Sequence, residues 1–417
     1  MMMNWRIAAA VAAAAVVVYL PFLGLPFISD DYTQIRLARE YGAPAGWADL
    51  AADPLYRSRA TSLLVTHWID STFGLQPLAH NLASLALHLV NCLLVALLGL
   101  WRRVGFAVSA PAALFFAVYE GHQEAVIWNA ALHELLVFAF VLGCCLNWIL
   151  WLQEGCRDWW RGALAAACFV LALFSKESAV AVLPVLGLLW WLERPASWAP
   201  LAHLGGYTAL AGFYAAGIFG AAATHQHLND GTFDWRAPFW LTLPHSLGRM
   251  LWIWGLAALV YLWARRDGGA GRLAGFGLVW MAVALLPYSF LMYQNRVPSR
   301  HTYLAAAGLA LVAGAAWRAL SPGRGTAAVL VVVLLAHNGG YLWLRKLPQY
   351  ERRAATTSRF LEFAAQREGP VRVRCTPYDP AVLADAAAVA LGWPREAVVN
   401  AAGNHSEGDE YCDLDHP

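Results

Sequence analysis

Charged residues are scarce in this sequence. Asp, Glu, Lys and Arg make up 13% of its 417 residues, against roughly 25% in an average soluble protein. Basic and acidic residues nearly balance, with a formal net charge of +2, so the strongly basic face of a nucleic-acid-binding protein is not expected. C-x-x-C pairs are absent, which removes support for a zinc site. These deficits exclude an ordinary soluble enzyme and argue against a nucleic-acid partner.

Apolar side chains are abundant instead. Hydrophobic residues make up 59% of the chain, and the mean hydropathy is +0.48. A membrane helix needs about 20 apolar residues to cross a hydrocarbon layer roughly 30 Å thick. The sequence therefore predicts an all-α polytopic membrane protein with about eleven transmembrane helices. The candidate stretches are residues 6–28, 77–101, 104–119, 130–152, 162–175, 178–192, 199–221, 246–264, 273–291, 302–319 and 326–344.

Arginine predicts the orientation of these spans. With the N-terminus in the cytoplasm, every connection assigned to that side carries a basic residue, as the positive-inside rule expects. The residues that define this side are Arg6, Arg102, Arg103, Arg157, Arg161, Arg194, Arg265, Arg266, Arg272, Arg318 and Arg324. The sequence thus predicts a transmembrane domain over residues 1–344 and a long extracytoplasmic loop with amphipathic helices over residues 29–76.

The C-terminal tail differs in composition from the rest of the chain. Residues 345–417 are charged and contain several prolines. Residues 371–374 alternate as a strand does, and residues 381–391 are typical of a short helix. We expect a small extracytoplasmic α/β domain here. Cys375 and Cys412 either form a disulfide, which an oxidising compartment permits, or remain two unpaired thiols.

Two adjacent carboxylates follow the first span. Asp30 and Asp31 begin the long outer loop, where they could supply a general base together with a ligand for a hydroxyl or a metal. An acidic start to a helix, which complements the helix dipole, explains the pair equally well.

Other polar residues lie in short outer connections, where membrane insertion disfavours charge. Lys176 and Glu177 lie between two short spans and suggest either a buried ion pair or a lysine that binds phosphate. Arg296 and Arg300 are four residues apart, and they suggest either snorkelling to lipid headgroups or bidentate binding of phosphate. Further candidates nearby are His122, Glu124, His301 and Tyr303.

Histidines elsewhere favour structural roles. His80, Ser84, His88 and Asn91 repeat on one face of the second span, a pattern that more often provides interhelical hydrogen bonds than a catalytic track. The pair at residues 225 and 227 is weak evidence for a metal site.

Several segments together resemble a known family. Residues 28–32, Ile-Ser-Asp-Asp-Tyr, look like the first-loop diacidic motif of GT-C glycosyltransferases, which include protein O-mannosyltransferases and the aminoarabinose transferase of lipid A. The branch related to TPR-bearing mannosyltransferases is similar in further segments, which follow in the same order. These are residues 56–61, 73–77 with His80, His88 and Asn91, 121–128, 174–177 and 299–304.

The resemblance covers roughly residues 20–310 and implies a function. It implies an inverting sugar transfer from a polyprenyl-phosphate donor to a protein, lipid or glycan acceptor on the extracytoplasmic side. Asp30 and Asp31 would supply the base and its partner. Lys176, Arg296, Arg300 and His301 would face the lipid phosphate, with Arg59, His122, Glu124, Glu177 and Tyr303 as further site candidates.

Two departures from the family pattern stand out. No TPR array follows the last span, and the segment around Arg57 lacks the proline of the usual Arg-Pro-Leu-Thr pattern. Family members differ in their use of a divalent metal such as Mg²⁺ or Mn²⁺, for which Asp31 and Glu124 would be the ligands here; no other cofactor is expected.

Alternative functions are a transporter or flippase of lipid-linked saccharides, an O-antigen-type polymerase, and a structural subunit that binds a partner through its tail. The matching halves with broken helices that are common in transporters are not apparent in the sequence. The composition, rich in Ala and Arg and poor in Lys, favours a bacterial inner membrane as the location.

Overall fold

The chain folds as a bundle of α-helices with a small sheet in its C-terminal part. The computed structural model describes residues 5–292, 296–367, 369–400 and 409–412. Helices are expected in the apolar stretches, because inside lipid each backbone N–H and C=O must be bonded within its own segment. The first ten α-helices are α1 (Trp5–Tyr19), α2 (Asp30–Tyr41), α3 (Trp47–Ala52), α4 (Ala60–Phe73), α5 (Pro77–Leu97), α6 (Phe106–Val118), α7 (Gln123–Ile127), α8 (Leu132–Gln153), α9 (Trp159–Leu173) and α10 (Val182–Glu193).

The remaining helices and the strands complete the fold. The helices are α11 (Ala199–Gly220), α12 (Gln226–Asn229), α13 (Phe239–Leu251), α14 (Trp254–Arg265), α15 (Gly268–Leu285), α16 (Tyr303–Leu320), α17 (Arg324–Tyr341), α18 (Leu347–Ala365) and α19 (Pro380–Leu391). The strands are β1 (Val371–Cys375), β2 (Val398–Asn400) and β3 (Asp409–Cys412). A π-helical turn, Leu342–Lys346, joins α17 to α18.

Fewer helices reach membrane-spanning length than the sequence suggests. In the described part of the chain, 6 helices are long and apolar enough to cross a membrane, or up to 7 if the bent pair of α13 and α14 counts as one span. The predicted number of eleven is therefore not confirmed. Helices α6, α9 and α10 contain 13, 15 and 12 residues, which is shorter than the roughly 20 residues of a full span.

Helix α16 lies at the centre of the bundle, packed against α15 and α6 through glycines. A Cβ atom on Gly277 would collide with the carbonyl oxygen of Gly308, and one on Gly308 would collide with that of Gly277. A Cβ on Gly314 would likewise meet the carbonyl oxygen of Val108. Small residues of this kind let helix backbones approach closely, which favours packing where lipid supplies no hydrophobic drive.

The connections gather at two ends of the bundle. At one end the Arg103 guanidinium pairs with Glu193 at 2.7 Å, and the backbone N–H of Arg102 donates to Gln153. At the opposite end the first loop meets the α9–α10 connection, where the Thr61 hydroxyl donates to Ser175 at 2.8 Å. Arg102 and Arg103, two of the arginines that predict the cytoplasmic side, therefore lie at the end opposite Thr61 and Ser175.

The C-terminal elements form a small α/β unit. Its strands are all parallel, in the order β2-β1-β3, and α18 and α19 cover the sheet with Phe360, Ala364 and Leu383 in the core. Cys375 and Cys412 form a disulfide that links β1 to β3. Of the alternatives that the sequence leaves open, the structure contains the bridge.

Candidate active site at one end of the bundle

Asp31 joins the first loop to the start of α8. Its side chain is 2% exposed. One carboxylate oxygen accepts the backbone N–H of Ile28 at 2.8 Å, and the other accepts that of Ala130 at 2.7 Å. Burial is the main cause that raises the pKa of Asp31 to about 7; the two backbone N–H groups oppose it, Asp30 raises the pKa further and Arg353 lowers it. Asp31 is thus held firmly and changes charge near neutral pH.

Asp30 is more accessible than its neighbour. It is partly exposed at the first turn of α2, and one of its oxygens accepts the Ser29 hydroxyl at 3.0 Å. Ser29 has a φ of 48°, in the half of the backbone map that non-glycine residues rarely adopt. Strain of this kind concentrates at functional sites. Asp30 is therefore the carboxylate better placed to meet a substrate.

Two guanidinium groups share one carboxylate beside these aspartates. Glu124 Oε1 lies 3.3 Å from Arg300 Nη1 and 3.7 Å from Arg353 Nη1. The Arg300 and Arg353 guanidinium carbons also lie 5.0 and 4.8 Å from the ring centre of Trp128. The Trp128 indole N–H in turn points to the carbonyl oxygen of Ile28 at 3.4 Å. Glu124 thus lies against two guanidinium groups, and Arg353 also acts electrostatically on Asp31.

Arg353 is the residue of this group that the sequence reasoning missed. It lies on α18, in a segment dense with charge that indicates only a solvated helix. The structure docks this helix on the first loop, where the backbone N–H of Ser29 donates to Thr357 at 3.3 Å and Tyr378 donates to the Arg353 carbonyl oxygen at 2.9 Å. No sequence motif marks Arg353.

Lys176 and His301 belong to a buried network around Glu134. The Lys176 ammonium contacts Glu134 Oε1, and His301 Nδ1 lies 2.5 Å from the same oxygen. Tyr288 donates to Glu134 Oε2 at 2.9 Å and stacks on His301 with 4.4 Å between ring centres. Burial lowers the pKa of Lys176 to about 8, although Glu134 acts in the opposite direction. This carboxylate and its partners compensate one another. Glu134 and Tyr288 were not among the predicted site residues.

Arg59 and Glu177 lie beside that network. The Ser58 hydroxyl donates to Glu177 at 2.7 Å, and Arg59 Nη2 lies 3.3 Å from His227 Nε2. Arg59 is within electrostatic range of both Lys176 and Glu177. The group therefore extends the polar end of the bundle towards α12.

His122 and Tyr303 lie inside an aromatic core. His122 is 0% exposed, and its ring centre is 4.7 Å from that of Tyr303. In the described part of the chain, neither of its ring nitrogens has a hydrogen-bond partner. The Tyr303 hydroxyl lies 2.7 Å from His88 Nδ1 and 3.3 Å from Asn91 Nδ2. With Ser84 bonded to Asn129, these contacts confirm that the polar face of the second span makes interhelical hydrogen bonds.

Arg296 lies in a separate cationic group. It is exposed, and the backbone N–H of Val297 next to it donates to Ser246 on α13 at 3.1 Å. Arg296 is within electrostatic range of Arg249. The chain at Arg296 is therefore attached to α13.

The residues predicted as metal ligands do not fit a cation as they stand. Both oxygens of Asp31 accept backbone N–H groups, and Glu124 Oε2 accepts from the Ser299 hydroxyl and the Arg300 backbone. In the part of the chain that the structure describes, no group of three or more His, Cys, Asp or Glu could hold a metal. We derive no step through a metal ion.

Comparison with known proteins relates the fold to solved structures. No protein-family model and no curated protein matches the sequence. The oligosaccharyltransferase AglB from the archaeon Archaeoglobus fulgidus, in complex with an inhibitory peptide and a dolichol-phosphate, matches with a TM-score of 0.54, 12% identity, and coverage of 95% of this chain and 64% of that chain. A second structure of the Archaeoglobus fulgidus oligosaccharyltransferase, tethered to an acceptor peptide with an NVT sequon, matches with a TM-score of 0.50, 12% identity and coverage of 96% and 64%.

These matches concern the fold. The chain spans about two thirds of the length of the oligosaccharyltransferases it matches, 64% in each case, and low identity with an extended structural match is evidence about fold and not about chemistry. Over 95% and 96% of its length, this chain therefore shares the fold of these oligosaccharyltransferases.

Proposed function

We propose that this protein is a GT-C-type glycosyltransferase, which moves a sugar from a polyprenyl-phosphate donor to an acceptor hydroxyl on the extracytoplasmic side of the membrane. The observation that carries the proposal is the juxtaposition of two aspartates with the Glu124, Arg300 and Arg353 group at the end of a GT-C bundle. A base and a cationic anion site are the two parts that this reaction needs.

In the proposed reaction Asp30 is the base. The acceptor oxygen attacks the anomeric carbon from the face opposite the phosphate, and Asp30 accepts the hydroxyl proton. The bond between the anomeric carbon and the phosphate oxygen breaks, and that electron pair leaves with the lipid phosphate. The configuration at the anomeric carbon is inverted. Asp31 positions the loop through its bonds to Ile28 and Ala130.

The leaving phosphate is the proposed ligand of Arg300 and Arg353. Negative charge develops on it as the bond breaks, and paired guanidinium groups stabilise such charge with short, bidentate hydrogen bonds. Trp128 lies against both guanidinium groups and limits their freedom. Contacts from Lys176 and His301 to the phosphate stay a prediction, and their engagement with Glu134 favours a supporting role.

The two solved relatives suggest the substrate classes. One is in complex with a dolichol-phosphate and the other with an acceptor peptide. These ligands support a lipid-phosphate donor for this chain, and a peptide among the possible acceptors. A bacterial inner membrane, with the N-terminus in the cytoplasm, stays part of the proposal.

Steady-state kinetics of purified variants test the phosphate assignment. We expect Arg300→Ala and Arg353→Ala each to raise the apparent KM for the polyprenyl-phosphate sugar about tenfold or more, since a charge-assisted hydrogen bond contributes roughly 1.5–3 kcal/mol. Arg352→Ala is the matched control, because Arg352 is exposed on the same helix. Unchanged donor dependence in both site variants would show that the phosphate is held elsewhere.

A further inference from the structure

A second cationic group lies at the same end of the bundle and plays no part in the reaction proposed above. Arg249 lies in the last turn of α13, Arg296 lies before α16, and Lys346 is the last residue of the π-helical turn. Arg249 interacts electrostatically with both Arg296 and Lys346. The Val297 backbone N–H donates to Ser246, one turn before Arg249. Towards Lys346, the Tyr119 hydroxyl donates to the Met250 carbonyl oxygen at 3.1 Å, and the backbone N–H of the next residue, Glu120, donates to Asn338 on α17 at 3.1 Å.

The cations of this group are incompletely compensated. Glu120 and Glu124 act electrostatically on both Arg249 and Lys346, but the Glu124 carboxylate is paired with Arg300 and Arg353. The Arg249 Nη2 atom is buried and has no hydrogen-bond partner among the residues that the structure describes. A buried guanidinium nitrogen without a partner carries a desolvation cost. An anionic ligand that bonds it would remove that cost.

The surroundings of the group have the character of a lipid-facing interface. Trp252, Tyr341, Trp343 and Leu344 are 68%, 41%, 41% and 78% exposed. Exposed aromatic rings at the end of a membrane helix are typical of the headgroup level of a bilayer. The cations therefore lie where a phosphate headgroup would be found if the aromatic and aliphatic side chains contact acyl or isoprenoid chains.

The backbone at this place is irregular on both sides of the group. Helices α13 and α14 are bent by 80°, with Ile253 at a φ of 61°, and Lys346 lies in the π-helical turn between α17 and α18. Broken membrane helices and π-turns occur preferentially at binding and functional sites.

We infer that Arg249, Arg296 and Lys346 form a bilayer-facing site for the phosphate headgroup of a lipid, separate from the Arg300 and Arg353 group at the reacting centre. The ligand chemistry is a phosphate ester of a lipid. Two lipids carry it: the polyprenyl phosphate, in which case the site captures the donor from the membrane and the inference rests on the proposed function, and an anionic phospholipid of the surrounding bilayer. Basic pockets between membrane helices bind lipid headgroups in this way.

Lipid retention measured by native mass spectrometry tests the inference. The full chain is reconstituted in phosphatidylcholine nanodiscs with either undecaprenyl phosphate or phosphatidylglycerol, and inorganic phosphate serves as the headgroup without a chain. We expect the double variant Arg249→Gln/Lys346→Gln to bind at least one of the two lipids tenfold or more weakly than the natural chain, because each lost charge-assisted hydrogen bond contributes about tenfold. Inorganic phosphate is expected to bind weakly, as it lacks the chain that the exposed aromatic residues would contact.

Controls separate a binding effect from misfolding. Arg324→Gln removes an exposed cation at the start of α17, the helix whose other end leads into the turn that contains Lys346. This variant should leave retention of both lipids unchanged. Arg249→Lys keeps the charge and should recover part of the binding. If the double variant Arg249→Gln/Lys346→Gln unfolds at a lower temperature than the natural chain, lipid binding is compared for Arg249→Lys and for the single variant Lys346→Gln instead.

The two lipid arms give distinct results. Selective loss of undecaprenyl phosphate assigns the site to the donor carrier, and loss of phosphatidylglycerol assigns it to the bulk anionic lipid; both support the inference. Equal retention of both lipids by the natural chain and the double variant overturns it. Because binding is measured without turnover, this failure is distinct from failure of the proposed function, which would appear as absent sugar transfer with lipid binding intact.

Discussion

Asp30 and Asp31 are neighbours in the chain but lie in different environments. Asp31 is buried and accepts two backbone hydrogen bonds, whereas Asp30 is partly exposed at the start of α2. Carboxylates that differ in this way commonly divide their roles between chemistry and positioning. In the proposed reaction Asp30 accepts the proton, and Asp31 holds the loop in position.

Asparagine substitutions separate the two roles. Asp30→Asn is expected to reduce sugar transfer by 100-fold or more while the melting temperature stays unchanged, since general base catalysis contributes roughly 10²–10⁴-fold. Asp31→Asn keeps only one acceptor oxygen and is expected to lower both the transfer rate and the melting temperature. Transfer assays and thermal melts on the same preparations check this. Full activity of both variants would contradict the assignment of the base.

The charge of Asp31 predicts a pH dependence. Its raised pKa of about 7 means that the carboxylate is lost as the pH falls through neutrality, and we expect the transfer rate to fall with it, because protonation removes an acceptor for Ile28 or Ala130. Arg353 lowers this pKa, so Arg353→Gln should move the acidic limb of the rate profile to higher pH. Arg352→Gln is the control, and an identical limb in both variants would show that Arg353 does not act on Asp31.

At the scale of elements, α8 and the α9–α10 connection are joined through a buried ion pair. Glu134 on α8 contacts Lys176, and both side chains are almost fully buried, at 1% and 7% side-chain exposure. Removing one member of such a pair typically costs about 3–5 kcal/mol, whereas replacing both with apolar groups costs far less. The pair therefore couples the two elements without requiring a direct role in chemistry.

A double-mutant cycle tests this coupling. Lys176→Met and Glu134→Leu are each expected to lower the free energy of unfolding by several kcal/mol, and the double variant by clearly less than their sum. Unfolding in detergent with a denaturant series measures the cycle. Additive losses would show that the two side chains do not depend on each other.

The elements themselves were largely predictable from the sequence. Hydrophobic stretches located the helices of the bundle, alternation located β1, and the apolar pattern of residues 381–391 located α19, because these patterns reflect which side chains are buried. Full spans were not separable from short helices such as α6, since this stretch is apolar throughout and the helix is bounded by backbone changes at Gly105 and Tyr119. Arg353 could not be found, because its place beside Trp128 depends on how α18 docks and leaves no local pattern.

At the scale of the whole molecule, the C-terminal α/β unit is attached to the first loop. Arg36 pairs with Asp385 at 2.7 Å, and Arg39 donates to the Val389 carbonyl oxygen at 3.3 Å. The same attachment brings Arg353 beside Trp128. The tail and the two aspartates must therefore share one side of the membrane, and the positive-inside rule predicts that this is the extracytoplasmic side.

Cysteine labelling checks the sidedness. Glu40→Cys lies in the first loop and Arg266→Cys lies at the opposite end of the bundle, and both positions are exposed. In intact cells a membrane-impermeant maleimide is expected to label Glu40→Cys above the background of the natural chain, and to label Arg266→Cys only after permeabilisation. The reverse labelling pattern would show that the bundle has the opposite orientation in the membrane and that the candidate site faces the cytoplasm.

The central claim is that the protein breaks the bond between a sugar and a lipid phosphate. Proteoliposomes that contain a doubly labelled polyprenyl-phosphate sugar, with a membrane extract of the source cells as acceptor, measure this directly. We expect free polyprenyl phosphate and transferred sugar to appear in equal amounts over time, and Asp30→Asn to abolish both. Movement of the intact lipid-linked sugar across the bilayer, without release of polyprenyl phosphate, would contradict it.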